Sequence, residues 1–239
     1  MSSSIPGRGV PVPGSAPRSS PVARISRGAL TANARAACER GIRSFDPSVL
    51  DADAWGHGRS LVHEVLEAQG LVAAEAPVFT ADGSAIARPS TTLMPSTLFG
   101  LPGAGPSTTA VLRLTGTVLS VKDLRTGEGV SYGYAYRAAA DTRISLVTGG
   151  YAQGIVRALG GAVDVAIAGR RHPIVGRVAM DVCVVEISDA AVRRGDEVLF
   201  LGDPSLGEPS LSSWVQATGL SEGELITTVG LRAIREEAP

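Results

Sequence analysis

Between residues 109 and 201 the sequence consists of short apolar runs that are interrupted at frequent intervals by turn-forming residues. Runs of this kind predict short strands, and a succession of them predicts a compact all-β domain such as a barrel. We expect strands at 111–121, 130–137, 142–147, 163–167, 174–180, 183–187 and 197–201, with a hairpin connection at 169–172. Two short helical segments should follow, and Ser221 with Glu224 forms a capping box for the second one.

The residues before this region predict a different kind of structure. Residues 1–22 are rich in Ser, Pro and Gly and lack the apolar core of a secretion signal, so we expect a disordered tail. Residues 23–105 alternate between predicted strands and helices, which favours an α/β unit. Strands are expected at 23–25 and 48–54 and helices at 29–40 and 61–68, whereas 75–108 allow only short strands.

Composition excludes several classes of protein. The formal net charge is -1, so the chain lacks the basic excess of a nucleic-acid binder. No apolar run is long enough to cross a bilayer, and no spacing of His, Cys and Asp indicates a metal site. Cys38 and Cys183 are interpreted as buried small residues and not as a disulfide. We therefore expect a cytoplasmic protein without a nucleic-acid or membrane partner.

Three tyrosines occupy alternate positions of the predicted strand 130–137. They are Tyr132, Tyr134 and Tyr136, and the fourth tyrosine of the chain, Tyr151, follows closely. Alternate residues of a strand point to the same face. Strand geometry alone therefore predicts that these three rings pack across one side of the sheet.

The order of motifs along the β region carries a family resemblance. This region resembles the C-terminal domain of alanine racemases in the stretches GEGVSYGYAYRAAADTRISLVTGGYAQGIVRALGG, GRRHPIVGRVAMDVCVVEISD and RRGDEVLFLG. A weaker resemblance continues through 224–235, and residues 23–40 resemble the opening strand and helix of the same family. The stretch DADAWGHG at 51–58 resembles the motif that carries the family's cofactor lysine, and we interpret its His57 as structural.

This resemblance implies a fold and a reaction. The fold is mainly β: an alanine-racemase C-terminal-like β-barrel at 106–239, preceded at 23–105 by a reduced α/β remnant of a (β/α)8 barrel that binds pyridoxal phosphate. The reaction is the racemisation of alanine by two bases on opposite faces of the substrate, a lysine and a tyrosine that the partner subunit supplies. Tyr132, within Ser131-Tyr132-Gly133, matches that tyrosine.

Further positions match family residues that meet the substrate. Met180 and Asp181 match the segment whose backbone contacts the substrate carboxylate. Tyr151, Arg157 and Arg177 match residues that line the approach to the site. Two positions near these residues depart from the family pattern: Gln153 replaces a usual aspartate, and Val182 replaces a common glutamine.

The chemistry that would hold the cofactor is missing. Asp51 stands where the family has its lysine, and a carboxylate cannot form a Schiff base. Of the 22 Lys and Arg residues only Lys122 is a lysine, and we expect it to be solvated on a strand. Arg88 is the candidate for the arginine that meets the pyridine nitrogen, at a spacing longer than the family's. Residues 23–105 are also far fewer than the roughly 200 that a complete barrel needs. We therefore expect no covalently bound cofactor.

Three functions fit these residues. The first is a degenerate racemase-like protein that is inactive alone and forms a homodimer, or a heterodimer with a full-length racemase. In the heterodimer it would either supply Tyr132 to the partner's site or regulate the partner. The second is a pyridoxal-phosphate-dependent alanine racemase that supplies D-alanine for cell-wall synthesis. The third is a non-functional product of gene decay. The loss of the lysine alongside the retained tyrosine favours the first.

Overall fold

A computed structural model describes residues 19–75, 92–105 and 108–239, apart from the side chain of Tyr132. Most of the predicted tail at 1–22, and the candidate Arg88, lie outside the described residues. Within these ranges no helix is both long enough and apolar enough to cross a membrane.

The strands in chain order are β1 (Val22–Ser26), β2 (Ser44–Phe45), β3 (Val72–Ala73), β4 (Thr92–Leu93), β5 (Leu112–Leu124), β6 (Gly129–Val130), β7 (Tyr136–Arg137), β8 (Thr142–Thr148), β9 (Asp164–Ile167), β10 (Arg170–Val175), β11 (Val182–Glu186), β12 (Glu197–Leu201) and β13 (Ile234–Ala238). The helices are α1 (Arg27–Glu39), α2 (Arg59–Ala68), α3 (Pro95–Phe99), α4 (Leu211–Thr218) and α5 (Glu222–Arg232). Both predicted N-terminal helices are confirmed with shifted ends, and the capping box at the start of α5 is present.

Six strands close into an antiparallel barrel. Their order is β12-β9-β10-β11-β8-β5, and β5 pairs back with β12 to complete the ring. Closure requires the long strand β5 to bend, and its pairing with β8 shifts register between Val118 and Ser120. A closed barrel leaves no free sheet edge around the ring. The predicted β-barrel is thus confirmed.

Segments from both ends of the described chain extend this sheet. β1 pairs antiparallel with β5, and β13 pairs parallel with β1. Residues 22–26 therefore lie in the barrel sheet and do not form the first strand of a separate α/β unit. Buried apolar side chains of both parts, from Ile25 through Leu98 to Val229, form one continuous core.

The remaining N-terminal part is a short α/β remnant. Its strands form a parallel sheet in the order β3-β2-β4, and Phe45 and Leu93 bury one face of that sheet. The stretch Phe99-Gly100-Leu101 resembles the family's exit from its last barrel strand, and β4 lies shortly before it. The first and last strands of a closed barrel are neighbours. The parallel pairing of β2 with β4 thus agrees with the expected α/β remnant of such a barrel.

The predicted strand at 48–54 is wrong. Pro47–Leu50 form a single 3-10 turn that Asp46 caps by accepting a hydrogen bond from the amide of Ser48 at 2.9 Å. Four residues from Ala52 to Trp55 then have positive φ, which is a left-handed turn. The buried residues Val49, Leu50 and Ala54 produced the strand-like pattern. The cap and the proline decide the backbone instead.

The predicted strand at 130–137 is also wrong. A 3-10 turn at Tyr132–Tyr134 separates β6 from β7, and Ser131, Gly133 and Tyr134 have positive φ. The paired strands form a small hairpin across this turn. The three tyrosines therefore do not share one strand face, because Tyr132 and Tyr134 lie in the turn and only Tyr136 lies in a strand.

The strand predicted at 174–180 begins and ends earlier than expected. It is β10, which ends at Val175 because Gly176 takes a φ of 68°. The hairpin connection predicted at 169–172 is shorter, since Ala168 and Gly169 turn the chain and Arg170 already pairs with Ile167. The residues after Gly176 are thereby released from the sheet as a loop.

Candidate functional site

The backbone of Met180 and Asp181 is held in place by the loop 149–152. Three amides of this loop donate hydrogen bonds of 2.9 Å to the carbonyl oxygens of Ala179, Met180 and Asp181. A Cβ atom at Gly150 would collide with the backbone of Met180, so the two segments touch directly. The side chain of Gln153 accepts a hydrogen bond from the Gly150 amide at 2.9 Å and braces the loop.

Tyr151 brings an arginine to the same place. The guanidinium of Arg157 lies 4.4 Å from the centre of the Tyr151 ring, in the range of a cation–π contact. The amide of Tyr151 is one of the donors to the 179–181 segment. The backbone of Tyr151 therefore lies beside the 179–181 segment, and the guanidinium of Arg157 packs on the Tyr151 ring.

The hairpin that carries Tyr132 meets the other end of this segment. The Ser131 hydroxyl accepts a hydrogen bond of 2.9 Å from the backbone amide of Arg177. The structure therefore places the backbone of the hairpin beside Arg177, three residues before Met180. Sequence analysis missed Ser131, because its partner lies 46 positions away and no local pattern links them.

An open cleft of about 480 Å³ lies between the hairpin and the segment after β10. Apolar side chains of β8 and β11 contribute Leu146, Val182 and Val184, and Tyr134 and Arg177 stand beside them. Tyr134 and Met180 expose 63% and 59% of their surface, which is high for large apolar side chains. This face of the barrel is thus accessible to a ligand or to another chain.

Two further groups near the cleft stay protonated at neutral pH. Burial raises the pKa of the Cys183 thiol to about 12, so this cysteine is a buried small residue and not a nucleophile. Burial, with a hydrogen bond to Glu186, also raises the pKa of Tyr136 to about 12. Tyr136 packs beside the small core of Leu124, Ala138 and Ile144 under the hairpin.

Asp51 does not line this cleft. All residues that line the cleft lie between positions 131 and 184. Asp51 is exposed at the start of the left-handed turn, and the ring nitrogen of Trp55 donates to the Ser48 carbonyl at 2.9 Å. Lys122 is exposed on β5, as predicted.

The rest of the motif at 51–58 has a structural role. His57 is buried, stacks on Phe99 with ring centres 4.0 Å apart, and has its Nδ1 atom 3.0 Å from the Ala54 carbonyl oxygen. Burial lowers the pKa of His57 to about 4, so the ring is neutral at pH 7. Within the described ranges no cluster of three His, Cys, Asp or Glu side chains could hold a metal ion.

Known proteins resemble the chain over the same region that contains the cleft. A family model described as the alanine racemase C-terminal domain matches residues 111–237, which is more than half of the chain. The chain belongs to this family. The matched residues include the Tyr132 hairpin, the loop 149–152 and the Met180 segment.

Curated relatives match the chain over part of their length. The alanine racemase of Mycobacterium avium is 44% identical over 114 residues, which are 47% of this chain and 29% of that protein. The alanine racemase of Thermobifida fusca is 38% identical over 135 residues, which are 56% of this chain and 35% of that protein. The chain thus matches about a third of the length of these relatives.

Solved structures confirm the fold. Alanine racemase from Streptomyces coelicolor superposes with a TM-score of 0.77 at 20% identity, covering 92% of this chain and 98% of that one. Alanine racemase from E. faecalis gives a TM-score of 0.75 at 18% identity, covering 90% of this chain and 97% of that one. At these identities the likeness concerns the fold alone.

Pyridoxal phosphate does not fit the residues that this family member presents. The carboxylate of Asp51 cannot form the imine that a lysine would form. The single lysine, Lys122, points to solvent from a barrel strand. Among the described residues, the part that would surround the cofactor is a parallel sheet of three two-residue strands.

Proposed function

We propose that this alanine-racemase-like chain does not racemise alanine by itself. It presents its Tyr132 face, as a cytoplasmic partner, to a full-length racemase subunit that has its own cofactor lysine. One observation supports this most directly: the loops of Tyr132, Tyr151, Arg177 and Met180 meet on one exposed face, whereas Asp51 occupies the lysine position.

The face has the charges that an amino acid substrate needs. Neither Arg157 nor Arg177 forms an ion pair with a described residue, so both guanidinium groups are available to a carboxylate. A nearby cation also favours the deprotonated form of a phenol. Tyr132 would hold or return a proton at its phenol oxygen, on one face of the substrate's Cα atom. The partner subunit would provide the second base.

The proposal also explains why half of a site is retained. In the family, the tyrosine acts across the subunit interface, so it can serve a neighbour even when its own chain lacks the lysine. A homodimer of this chain would combine two tyrosine faces and no lysine site. A heterodimer with a full-length subunit would contain one complete site.

A mixed-subunit assay tests this proposal. A full-length relative, such as the Mycobacterium avium racemase, would be inactivated by replacing its own β-domain tyrosine with phenylalanine. Adding purified chain should restore formation of D-alanine from L-alanine, because the mixed dimer joins an intact lysine to Tyr132. Tyr132→Phe should abolish the restoration, and the matched control Tyr134→Phe should retain it.

Each other outcome has a meaning. Racemisation by the chain alone would show that it is an independent racemase. Soluble chain that neither co-elutes with the full-length subunit nor restores activity would rule out the partner function. Protein that is recovered only as aggregate, both alone and in co-expression, would indicate gene decay.

A further inference from the structure

The hairpin 127–137 is braced within itself. The Tyr134 ring covers Gly129 so closely that no Cβ atom would fit there. The guanidinium of Arg137 lies 5.4 Å from the centre of the Tyr134 ring, and its Nη1 atom donates to the Gly127 carbonyl at 2.9 Å. Contacts within the hairpin therefore hold the two strands on either side of the turn at Tyr132 together.

One serine joins this hairpin to the rest of the site. The Ser131 hydroxyl accepts a hydrogen bond of 2.9 Å from the Arg177 amide. That amide lies just beyond the end of β10, so the sheet does not satisfy it and the serine does. Next to it, a Cβ atom at Gly176 would collide with the Ser131 hydroxyl and lie 2.9 Å from its Cβ atom. The Ser131 hydroxyl thus occupies space that any residue larger than glycine at position 176 would block.

Ser131 adopts an unfavourable backbone conformation to make this bond. Its φ of 66° and ψ of 172° lie in a region that residues other than glycine rarely adopt. Glycine would take this conformation at little cost. The presence of serine therefore indicates that the hydroxyl, and not the backbone shape alone, is what this position supplies.

We infer that Ser131 is a positioning residue that sets the Tyr132 hairpin at a defined distance from Arg177 and the Met180 segment. This inference rests on the proposed function, because the distance matters only if Tyr132 acts on a bound substrate. Ser131 acts through the hairpin backbone. A displacement of about 1 Å at a reacting group can reduce the rate about a hundredfold, so one hydrogen bond at this junction is sufficient to affect the rate.

Ser131→Ala and Ser131→Gly test the inference with two readouts. The first is hydrogen exchange of the Arg177 amide, measured by NMR on the full chain alone. The second is kcat and KM for D-alanine formation in the mixed-subunit assay. Both variants should speed the exchange of the Arg177 amide by about tenfold or more, since its acceptor is lost. Both should lower kcat by tenfold to about a hundredfold while KM stays within about twofold.

The glycine variant separates the effect of losing the hydroxyl from the effect of the backbone conformation. It relieves the φ strain at position 131, so a purely conformational role predicts activity at or above that of the unmodified chain. Reduced kcat in Ser131→Gly therefore supports the inference, and unchanged kcat overturns it. Ser205→Ala is a matched control, because Ser205 is exposed, lies on another loop and makes no side-chain hydrogen bond with a described residue.

The two readouts also separate this inference from the proposed function. If the unmodified chain restores no activity, the partner proposal fails. The hydrogen-exchange data alone then test whether the Ser131 hydroxyl holds the hairpin to Arg177. Faster exchange of the Arg177 amide in Ser131→Ala, with the melting temperature retained, would still support the holding role of the hydroxyl. Unchanged exchange would overturn it whether or not the chain restores activity.

Discussion

The carboxylate of Asp53 accepts a hydrogen bond of 2.6 Å from Arg235, which lies 182 positions further along the chain. This contact joins the left-handed turn of the N-terminal remnant to β13 of the barrel sheet. Arg235 also donates to the Gly56 carbonyl at 3.2 Å, so one side chain holds the turn twice. The remnant is thereby attached to the barrel through polar contacts as well as through the shared core.

Arg235→Gln should weaken this attachment. The two side chains are about one-third exposed, so we expect the free energy of unfolding to fall by only about 1–2 kcal/mol. That loss corresponds to a decrease in melting temperature of about 2–8 °C. Differential scanning calorimetry would measure it. Arg35→Gln, which removes an exposed pair with Glu39 at 3.8 Å, should change stability much less.

Asp53 should make unfolding sensitive to strong acid. Partial burial alone would raise its pKa, but the hydrogen bond from Arg59 and the charge of Arg235 hold the pKa below its ordinary value. The folded state therefore binds this proton less readily than the unfolded state, and the stabilisation is complete above about pH 4. It is lost as the pH falls through the folded-state pKa. In urea titrations at acid pH, Asp53→Asn should flatten this part of the stability profile, and a profile of unchanged slope would contradict the assignment.

His57 should also make the protein lose stability in acid, and at a higher pH than Asp53 does. Burial lowers its pKa from 6.5 to about 4, so between these values only the unfolded state binds the proton. Stability should decrease as the pH falls through this window, by up to about 3 kcal/mol. His57→Gln should remove that component, and the exposed His63→Gln is the control. If His57→Gln does not fold, the NMR titration of the His57 ring in the unmodified chain gives the answer, and a midpoint near 6.5 would contradict the prediction.

Gly56 should tolerate no side chain. Its φ is 76°, and a Cβ atom there would lie 2.6 Å from the Cα atom of Gly230 in α5. Gly56→Ala combines backbone strain with overpacking, so we expect a loss of about 2–4 kcal/mol in the free energy of unfolding. Gly70→Ala is a matched control, since its φ is 67° and nothing lies within 4 Å. Denaturant unfolding of both variants should show a loss of about 1 kcal/mol for Gly70→Ala, and equal losses would show that α5 moves to make room.

Lys122 should have no part in cofactor chemistry. Because it is exposed on β5, Lys122→Ala should change the free energy of unfolding by less than about 0.5 kcal/mol. Titration of the chain with pyridoxal phosphate should give no saturable absorbance band, and the variant should behave identically in the mixed-subunit assay. A saturable band that Lys122→Ala removes would show that the chain binds the cofactor through this lysine.

Sequence analysis succeeded where the signal is local. The helices at 27–39 and 59–68, the strand at 197–201 and the cap at Ser221 follow from side-chain periodicity and capping over a few residues. The order of family motifs predicted the β-barrel for the same reason, because each motif is a contiguous stretch. The exposed position of Lys122 also follows from a local property, because a charged lysine side chain on a strand is rarely buried without a partner.

Sequence analysis failed where the backbone takes an unusual conformation. Alternating tyrosines imitate a strand at 130–137, and buried apolar residues imitate one at 48–54. In both places a run of positive φ angles is stabilised by partners far along the chain. Ser131 finds Arg177, and Asp53 finds Arg235. The spacing of apolar residues does not predict hydrogen-bond partners that lie far apart in the sequence.

The sequence by itself determined the family, the β character of residues 112–201 and the absence of a lysine at position 51. Those are properties of residue identity and near-neighbour pattern. Only the tertiary structure decided that β1 and β13 extend the barrel sheet, that the remnant shares its core, and that the Tyr132 hairpin meets Arg177. These arrangements depend on pairs of segments distant in the chain, which come together because closing the barrel and burying one common core satisfies their backbone groups and apolar surfaces at once.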